Sequence, residues 1–344
     1  VMVGLDEAFA LDLKELGRQI SSLPREEVRD EAGEVVTPDV GKAVVAAGSA
    51  FVVCATRNPG TIRCTEVKSG DLLRGALISG GSFGPVYCGT LNKLDVAIKM
   101  VPPSAAARSE DLAELRSEVA LYERLNHENL VRFFGAVTED PDRTCLVLEY
   151  ITGGSLRGFL SDHQEEPLDG FMVLTFALDM ARGMEYLHTW SIFHRDLKSS
   201  NVLVGWDRRL KLADFGLARA KATGQQLSCA LWEGTWAYMA PELLDDEALQ
   251  HDPGKADIYA YAMVLTDVLS RREPWSGLSQ MKIIRSVVDR KERPSVPRGG
   301  SSPDVVLAVM EAAWSQDPAD RPGFCELVCP LAAAAAAAER EVVG

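Results

Sequence analysis

The sequence predicts an α+β fold in two lobes, a small, mainly antiparallel β lobe carrying one helix and a large, mainly α-helical lobe, behind an N-terminal extension. Three observations predict it. Residues 71–150 read as short apolar β runs with glycine turns and one helical stripe; residues 151–338 read mostly as helix; residues 1–70 match neither texture. A β-rich part followed by a helix-rich part segregates into two cores with a cleft between them. At 344 residues the chain is long enough to fill both.

In chain order, Leu5, Phe9, Leu13, Leu16 and Ile20 recur every three or four residues, one apolar helix stripe. A charged, turn-rich stretch from Pro24 to Asp39 follows, and then two β runs flank Arg57-Asn-Pro-Gly60 as a hairpin. No chemistry attaches to this extension. Ala76–Ile78 and Val86–Cys88 bracket a glycine-rich turn, and Val96–Met100 is a third strand. A helix is expected from Glu110 to Leu125, with Leu112, Leu115, Val119, Tyr122 and Leu125 on one face. Strands near Val131–Val137 and Cys145–Glu149 close the small lobe. Helices are expected at Phe171–Thr189, Ala256–Leu269, Gln280–Asp289 and Val305–Trp314, with residues 339–344 as a tail.

A net charge of −14 repels phosphate backbones and anionic lipid, so general nucleic-acid or membrane binding is a poor expectation. No apolar run is long enough to span a bilayer, and no basic-then-apolar leader opens the chain. Seven cysteines, odd in number and without a CxxC pair, read as scattered reduced thiols; Cys325 and Cys329 are four apart, but nothing completes a metal site around them. These readings predict a cytoplasmic protein.

The chemistry begins at Ile78-Ser-Gly-Gly-Ser-Phe-Gly-Pro-Val86, where glycines let backbone N–H groups approach phosphate oxygens. Lys99 ends the apolar strand Val96-Ala-Ile-Lys, and a buried ammonium needs an anionic partner. Glu118, flanking the helix stripe that faces the sheet, is the candidate. The strongest signal is His194-Arg-Asp-Leu-Lys-Ser-Ser-Asn201 followed by Lys211-Leu-Ala-Asp-Phe-Gly216. Carboxylate and amide oxygens at Asp196, Asn201 and Asp214 are the ligands that hard Mg²⁺ takes alongside phosphate oxygens. Gly234-Thr-Trp-Ala-Tyr-Met-Ala-Pro-Glu242, Asp257 and Asp320-Arg-Pro322 come next.

In this order these segments resemble the signature set of eukaryotic protein kinases, over about residues 71–338. The resemblance implies the bilobal protein-kinase fold, with ATP binding in the small lobe (71–150) and the catalytic loop, activation segment and substrate site in the large lobe (151–338). It implies transfer of the γ-phosphate of ATP to protein hydroxyls, with Mg²⁺ as the ion and Mn²⁺ as a substitute. By the same resemblance Ile78, Ser79, Gly80, Gly81, Ser82, Phe83, Gly84, Val86, Ala97 and Leu203 surround the nucleotide, and Glu149 and Ile151 offer it backbone groups from a hinge beside Leu148. Lys99 would hold the α- and β-phosphates while paired with Glu118; Asn201 and Asp214 would hold metal. Asp196 would take the hydroxyl proton, and Lys198 would neutralise the phosphoryl group in transfer. Glu242 and Arg321 match an anchoring ion pair, Asp257 a brace of the catalytic loop, and Tyr122, Phe133, His194 and Phe215 a stacked apolar column.

Two departures stand out: Ser79 replaces the usual first glycine, and Pro85 removes an N–H. Altered phosphate packing is expected rather than loss of ATP. Lys198-Ser-Ser200 and Thr235 resemble serine/threonine kinases, and the surrounding sequence is similar to the tyrosine-kinase-like group, near mixed-lineage and plant Raf-like kinases. Arg195 implies a regulatory phosphate on the activation loop, at Ser228 or Thr223, delivered by autophosphorylation or by an upstream activating kinase. The expected partners are therefore protein substrates bearing serine or threonine. The competing readings are a catalytically weak kinase-fold scaffold, favoured by Ser79 and Pro85, and a dual-specificity or tyrosine kinase.

Overall fold

The computed structural model describes residues 66–81, 84–101, 119, 122–138, 143–164, 168–214, 236–245, 252–297 and 303–343. The helix stripe and hairpin expected before residue 66, and most of the helix expected from Glu110 to Leu125, lie outside the described residues. Chain contacts separate residues 1–63 from 64–344, and every described residue belongs to the second part.

Its first half is one antiparallel sheet of β1 (Leu72–Gly81), β2 (Gly84–Leu91), β3 (Leu94–Met100), β4 (Phe133–Val137) and β5 (Cys145–Glu149), in the order β1-β2-β3-β5-β4. β1 and β2 run well beyond the apolar triplets that announced them, because hairpin pairing from Leu72 opposite Leu91 to Gly81 opposite Gly84 extends each strand. Asn92 and Lys93 turn β2 into β3 with φ of 50° and 73°, the left-handed pair that a two-residue hairpin loop demands. Val96, Ile98, Val137, Cys145 and Val147 form a small core on one face of the sheet.

Val67 joins that core from outside the sheet. The segment Glu66–Asp71 lies against β4: Glu66 makes a parallel bridge with Ala136, and the Val67 N–H donates to the Ala136 carbonyl at 2.8 Å. The Glu66 carboxylate accepts from the Thr138 N–H (2.7 Å) and hydroxyl (2.9 Å), and Arg143 donates to the Ser69 hydroxyl at 3.0 Å. These residues act as a strap that plugs an apolar side chain into the small lobe.

The large lobe contains α1 (Leu156–Asp162), α2 (Gly170–Thr189), the hairpin of β6 (Val202–Val204) and β7 (Leu210–Leu212), α3 (Pro241–Leu244), α4 (Pro253–Ser270), α5 (Gln280–Ile284), α6 (Asp304–Ala313) and α7 (Phe324–Val343). Ser155, Asp169 and Asp252 cap α1, α2 and α4 by accepting N–H bonds from the first turn, and Pro253 stands where a missing N–H does no harm. From Ala256 to Leu269 every residue of α4 is buried, so this helix is the axis of the lobe. The helix expected over Gln280–Asp289 is α-helical only to Ile284 and continues as a π turn from Arg285 to Asp289. α7 continues through residue 339, where the sequence suggested a tail, because Leu331 and Ala335 are buried against the lobe and alanine is the strongest helix former. The β6–β7 pair, three residues a side, is too short to announce itself by alternation. Among the described residues no helix is long and apolar enough to cross a membrane.

If the strap is part of the fold, Val67→Ala will lower stability by about 1–2 kcal/mol. Denaturant unfolding measures this, and an unchanged midpoint would show that the plug contributes nothing.

Candidate active site

The loop from His194 to Asn201 joins the end of α2 to β6, and its shape is imposed by Asp257 on α4. That carboxylate is 1% exposed and accepts the N–H of His194 at 2.7 Å and of Arg195 at 2.8 Å. Arg195 takes φ +65°, an unfavourable conformation for a residue with a Cβ, and the paired N–H bonds to a buried charge hold it there. The His188 imidazole, at the end of α2, lies 3.0 Å from the same carboxylate. The His194 ring accepts from the Asp196 N–H through Nδ1 (3.4 Å), so Nε2 carries the hydrogen and donates to the Ala213 carbonyl at 3.0 Å. Three groups around the loop are therefore tied to one carboxylate of α4.

On this loop Asp196, Lys198 and Asn201 converge. Asp196 Oδ2 receives the Lys198 ammonium at 2.8 Å and the Asn201 amide at 3.0 Å. Asn201 Nδ2 also donates to the Asp196 carbonyl at 2.7 Å, which commits the amide nitrogen and turns Oδ1 to the opposite side. The Asn201 carbonyl accepts the Ala213 N–H at 2.9 Å and so delivers the chain to Asp214. Asp214, at φ +63°, forms an ion pair with Lys99 of β3, whose side chain is almost completely buried. Burial acts to raise the Asp214 carboxyl, but the charge and hydrogen bond of Lys99, with His194 and Lys198 behind it, hold it below the usual carboxylate range. Five of the six charged and amide residues that the sequence places at the reaction centre, Lys99, Asp196, Lys198, Asn201 and Asp214, are thus brought together as two linked clusters. Glu118, Ser82, Phe83 and Phe215 lie outside the described residues.

The small lobe forms a roof. Ile78, Ser79 and Gly80 are exposed along β1, and Val86 and Ala97 are half-buried on the neighbouring strands. Gly84 at φ +102° occupies backbone space that a side chain would strain, and a Cβ built on Gly80 meets nothing within 4 Å. The side opposite the roof is built at β6, where Leu203 bridges Ser155 and is half-buried. Val204 sits so close to the chain after β5 that a Cβ on Gly153 would fall 2.4 Å from its carbonyl. Between roof and floor, Leu148 is buried and Ile151 half-buried, and the Glu149 carboxylate is tied down by the Arg132 N–H (3.1 Å) and the Lys211 ammonium (3.0 Å). The Tyr122 and Phe133 rings stack at 5.6 Å.

Arg321, fully buried, grips Glu242 with both arms of its guanidinium at 2.7 and 2.8 Å and donates to the carbonyls of Lys255 and Ser315, each at 2.9 Å. This anchor is the pairing that the sequence predicts.

Three contributors escaped sequence reasoning: Lys211 on Glu149, the Arg209–Asp179 pair under β7, and a relay through Asp267. In the relay the Ser199 hydroxyl lies 3.0 Å from the Tyr238 hydroxyl, which donates to Asp267 at 2.6 Å; Arg157 reaches the other oxygen at 3.2 Å. A carboxylate inside the apolar run Met263-Val-Leu-Thr-Asp-Val-Leu269 was the available signal, since such a charge must be partnered. Burial pushes the Asp267 carboxyl up to about 6, against the bonds from Ser199, Tyr238 and Arg157. A carboxyl raised on folding gives stability that is fully present below the unfolded value of about 4 and is lost as pH rises through about 6. The Asp267→Asn variant should therefore lose a decline of up to roughly 3 kcal/mol across that window. Denaturant unfolding at pH 4.0–6.5, read as ~half-unit steps, checks it, and an unchanged slope in the variant excludes Asp267 as the source.

Residues 73–331 match the family described as protein tyrosine and serine/threonine kinase. Among curated relatives, the probable serine/threonine-protein kinase drkD of Dictyostelium discoideum is 39% identical over 266 residues, covering 76% of this chain and 20% of the relative. The serine/threonine-protein kinase CTR1 of Arabidopsis thaliana is 37% identical over 254 residues, 73% of this chain and 30% of the relative. The serine/threonine/tyrosine-protein kinase HT1 of the same plant is 32% identical over 264 residues, 76% and 66% respectively. This chain spans from a fifth to about two thirds of the length of these relatives. With a buried lysine paired to one aspartate, a second aspartate clasped by lysine and asparagine, and a family match over most of its length, the chain belongs to the protein kinase family, among kinases of the Raf-like, tyrosine-kinase-like type.

Proposed function

We propose that this chain transfers the γ-phosphate of ATP to serine and threonine hydroxyls of protein substrates. The observation that carries this reading is Asp196, a buried carboxylate fixed through one oxygen by Lys198 and Asn201 on a loop that Asp257 braces. Asp196 accepts the hydroxyl proton and aims the oxygen at the γ-phosphorus. Lys198 adds positive charge where the phosphoryl group gains negative charge. Lys99 holds the α- and β-phosphates, and Glu118, outside the described residues, would be its second partner. Glu149 and Ile151 present backbone groups to the base, while Ile78 to Gly84, Val86, Ala97 and Leu203 enclose it. Covalent work by the protein is slight, so orientation and charge supply most of the rate.

The family uses ATP and a divalent metal in general. The donors here suit Mg²⁺, with Mn²⁺ as a substitute: Asp214 is held ionised, and Asn201 offers an amide oxygen because its nitrogen is committed to Asp196. When bound, the ion neutralises charge on the phosphate oxygens. Free thiols at Cys88, Cys145, Cys325 and Cys329 support a cytoplasmic site of action.

Arg195 supports control by phosphorylation. Its Nε and Nη1 are buried without a partner among the described residues, and burial lowers its proton affinity despite Asp257 nearby. A phosphate at Ser228 or Thr223, outside the described residues, would supply the missing acceptor. A second reading, dual specificity, is favoured by the similarity to HT1, whose name includes tyrosine.

Peptide arrays phosphorylated with Mg·ATP test the proposal. Phosphoserine and phosphothreonine should dominate, and Asp196→Asn should reduce the rate by roughly 10²–10⁴-fold. Equal, near-zero transfer by both proteins would leave a scaffold, and phosphotyrosine alone would reassign the substrate. Phosphate mapping of autoactivated protein should find Ser228 or Thr223; sites confined to residues before 70 would remove the loop switch.

A further inference from the structure

Tyr259 of α4 lies close to two guanidiniums, Arg321 at 5.1 Å from its ring centre and Arg293 at 5.3 Å. Their charges are met differently. Arg321 has the Glu242 carboxylate on both arms. Arg293 donates only to neutral oxygens: the Trp314 carbonyl from Nε (2.9 Å), the Glu292 carbonyl from Nη1 (2.8 Å) and the Gln316 amide oxygen from Nη2 (2.8 Å). The Glu292 carboxylate faces Arg290 instead, at 3.9 Å. Burial lowers the proton affinity of Arg293. A half-buried cation without a counter-ion carries a desolvation cost that an incoming anion offsets. Each terminal nitrogen has two hydrogens, and the bonds above commit one of each pair, so donors remain for that anion.

A cavity of about 400 Å³ opens at Arg293, within the size range of small-molecule sites. Lys291, at φ +54° just past the π turn, lines it with Arg293. Glu311 and Asp320 bring carboxylates to the same cavity, and the half-buried Trp314 brings a large apolar surface. The Lys291 and Asp320 side chains are exposed, and neither has an ion-pair partner among the described residues.

We propose that this cavity binds a small dipolar molecule of the α-amino-acid class, with its carboxylate on Arg293 and Lys291, its ammonium at Asp320 and Glu311, and an apolar side chain against Trp314. The two carboxylates oppose a purely anionic ligand and the two basic groups a purely cationic one, so the lining selects a molecule that carries both charges. Ser315 also lines the cavity, and its carbonyl accepts from Nε of Arg321, so occupancy steadies the residue that anchors Glu242. The site does not depend on phosphate transfer, and its test needs no catalysis.

The full chain is titrated calorimetrically with L-phenylalanine and L-leucine. Two analogues of phenylalanine accompany them: 3-phenylpropionate, which lacks the ammonium, and phenethylamine, which lacks the carboxylate. The amino acids should bind saturably, and each analogue should bind roughly tenfold or more weakly than phenylalanine. Arg293 also fastens Trp314 and Gln316, so its removal would confound folding with binding, and the exposed Lys291 and Asp320 carry the test instead. Lys291→Glu and Asp320→Asn should each weaken phenylalanine by a similar factor. Asp320→Asn should also narrow the gap between phenylalanine and phenylpropionate, a change of preference that general damage to the fold does not produce. Absence of saturable binding by either amino acid in the millimolar range, or binding that both variants leave unchanged, would overturn the proposal. So would phenylpropionate, acetate or inorganic phosphate binding as tightly as phenylalanine, since the cavity would then be a plain anion site.

Discussion

Asp257 is the constraint on which the site depends. One buried carboxylate accepts two consecutive backbone N–H groups and faces an imidazole, so a residue with a side chain is kept in the left-handed region at the turn before Asp196. An unpaired charge there would be heavily penalised, and the three contacts offset that penalty. The loop is therefore shaped by the interior of the large lobe, and it is shaped before any ligand arrives. Preorganisation of this kind is what positioning and charge stabilisation require.

The same helix carries the other restraints. Asp267, ten positions further along α4, reaches Ser199 through Tyr238, so both ends of the helix hold the catalytic loop. The backbone carbonyl of Lys255, near its start, accepts from Arg321, which in turn grips Glu242. A guanidinium whose three nitrogens each donate a hydrogen bond, with the Tyr259 ring 5.1 Å away, is tolerated in the core because its charge is paired with Glu242 and shared with two carbonyls. Loop, anchor and helix form one connected solid, and the small lobe meets it through narrower links: Asn129 clasping β7, and Glu149 clasping Lys211.

Much of this could be read from residues alone, for reasons that differ by residue. Asp196, Lys198, Asn201 and Asp214 all lie between positions 196 and 214, so local spacing exposes them. Glu242 with Arg321 was readable only through a resemblance, because 79 positions separate the pair and no local rule joins them. Lys211 carries no local signal of its contact with Glu149, because that contact depends on where β5 ends. Tyr238 and Asp267 meet only after α4 is buried. The long helices were visible as stripes, whereas the extent of β1 and β2 depended on partner strands and the β6–β7 hairpin offered too few residues for a period to emerge. The π turn at Arg285 was invisible, since one inserted residue leaves the apolar pattern nearly intact.

The strap before β1 has a mechanical consequence. Chain upstream of Glu66 enters the small lobe through one parallel bridge, two bonds to Thr138 and a single buried valine. A parallel contact loaded along its length resists in shear, with its bonds stretched together rather than peeled in turn. Tension arriving from upstream would thus pass into β4, and from there through the paired β5 into the crossing between lobes, before it could lift β1. The catalytic unit is fastened at the β4 edge of its sheet, one strand away from the β5 end that leads to the hinge.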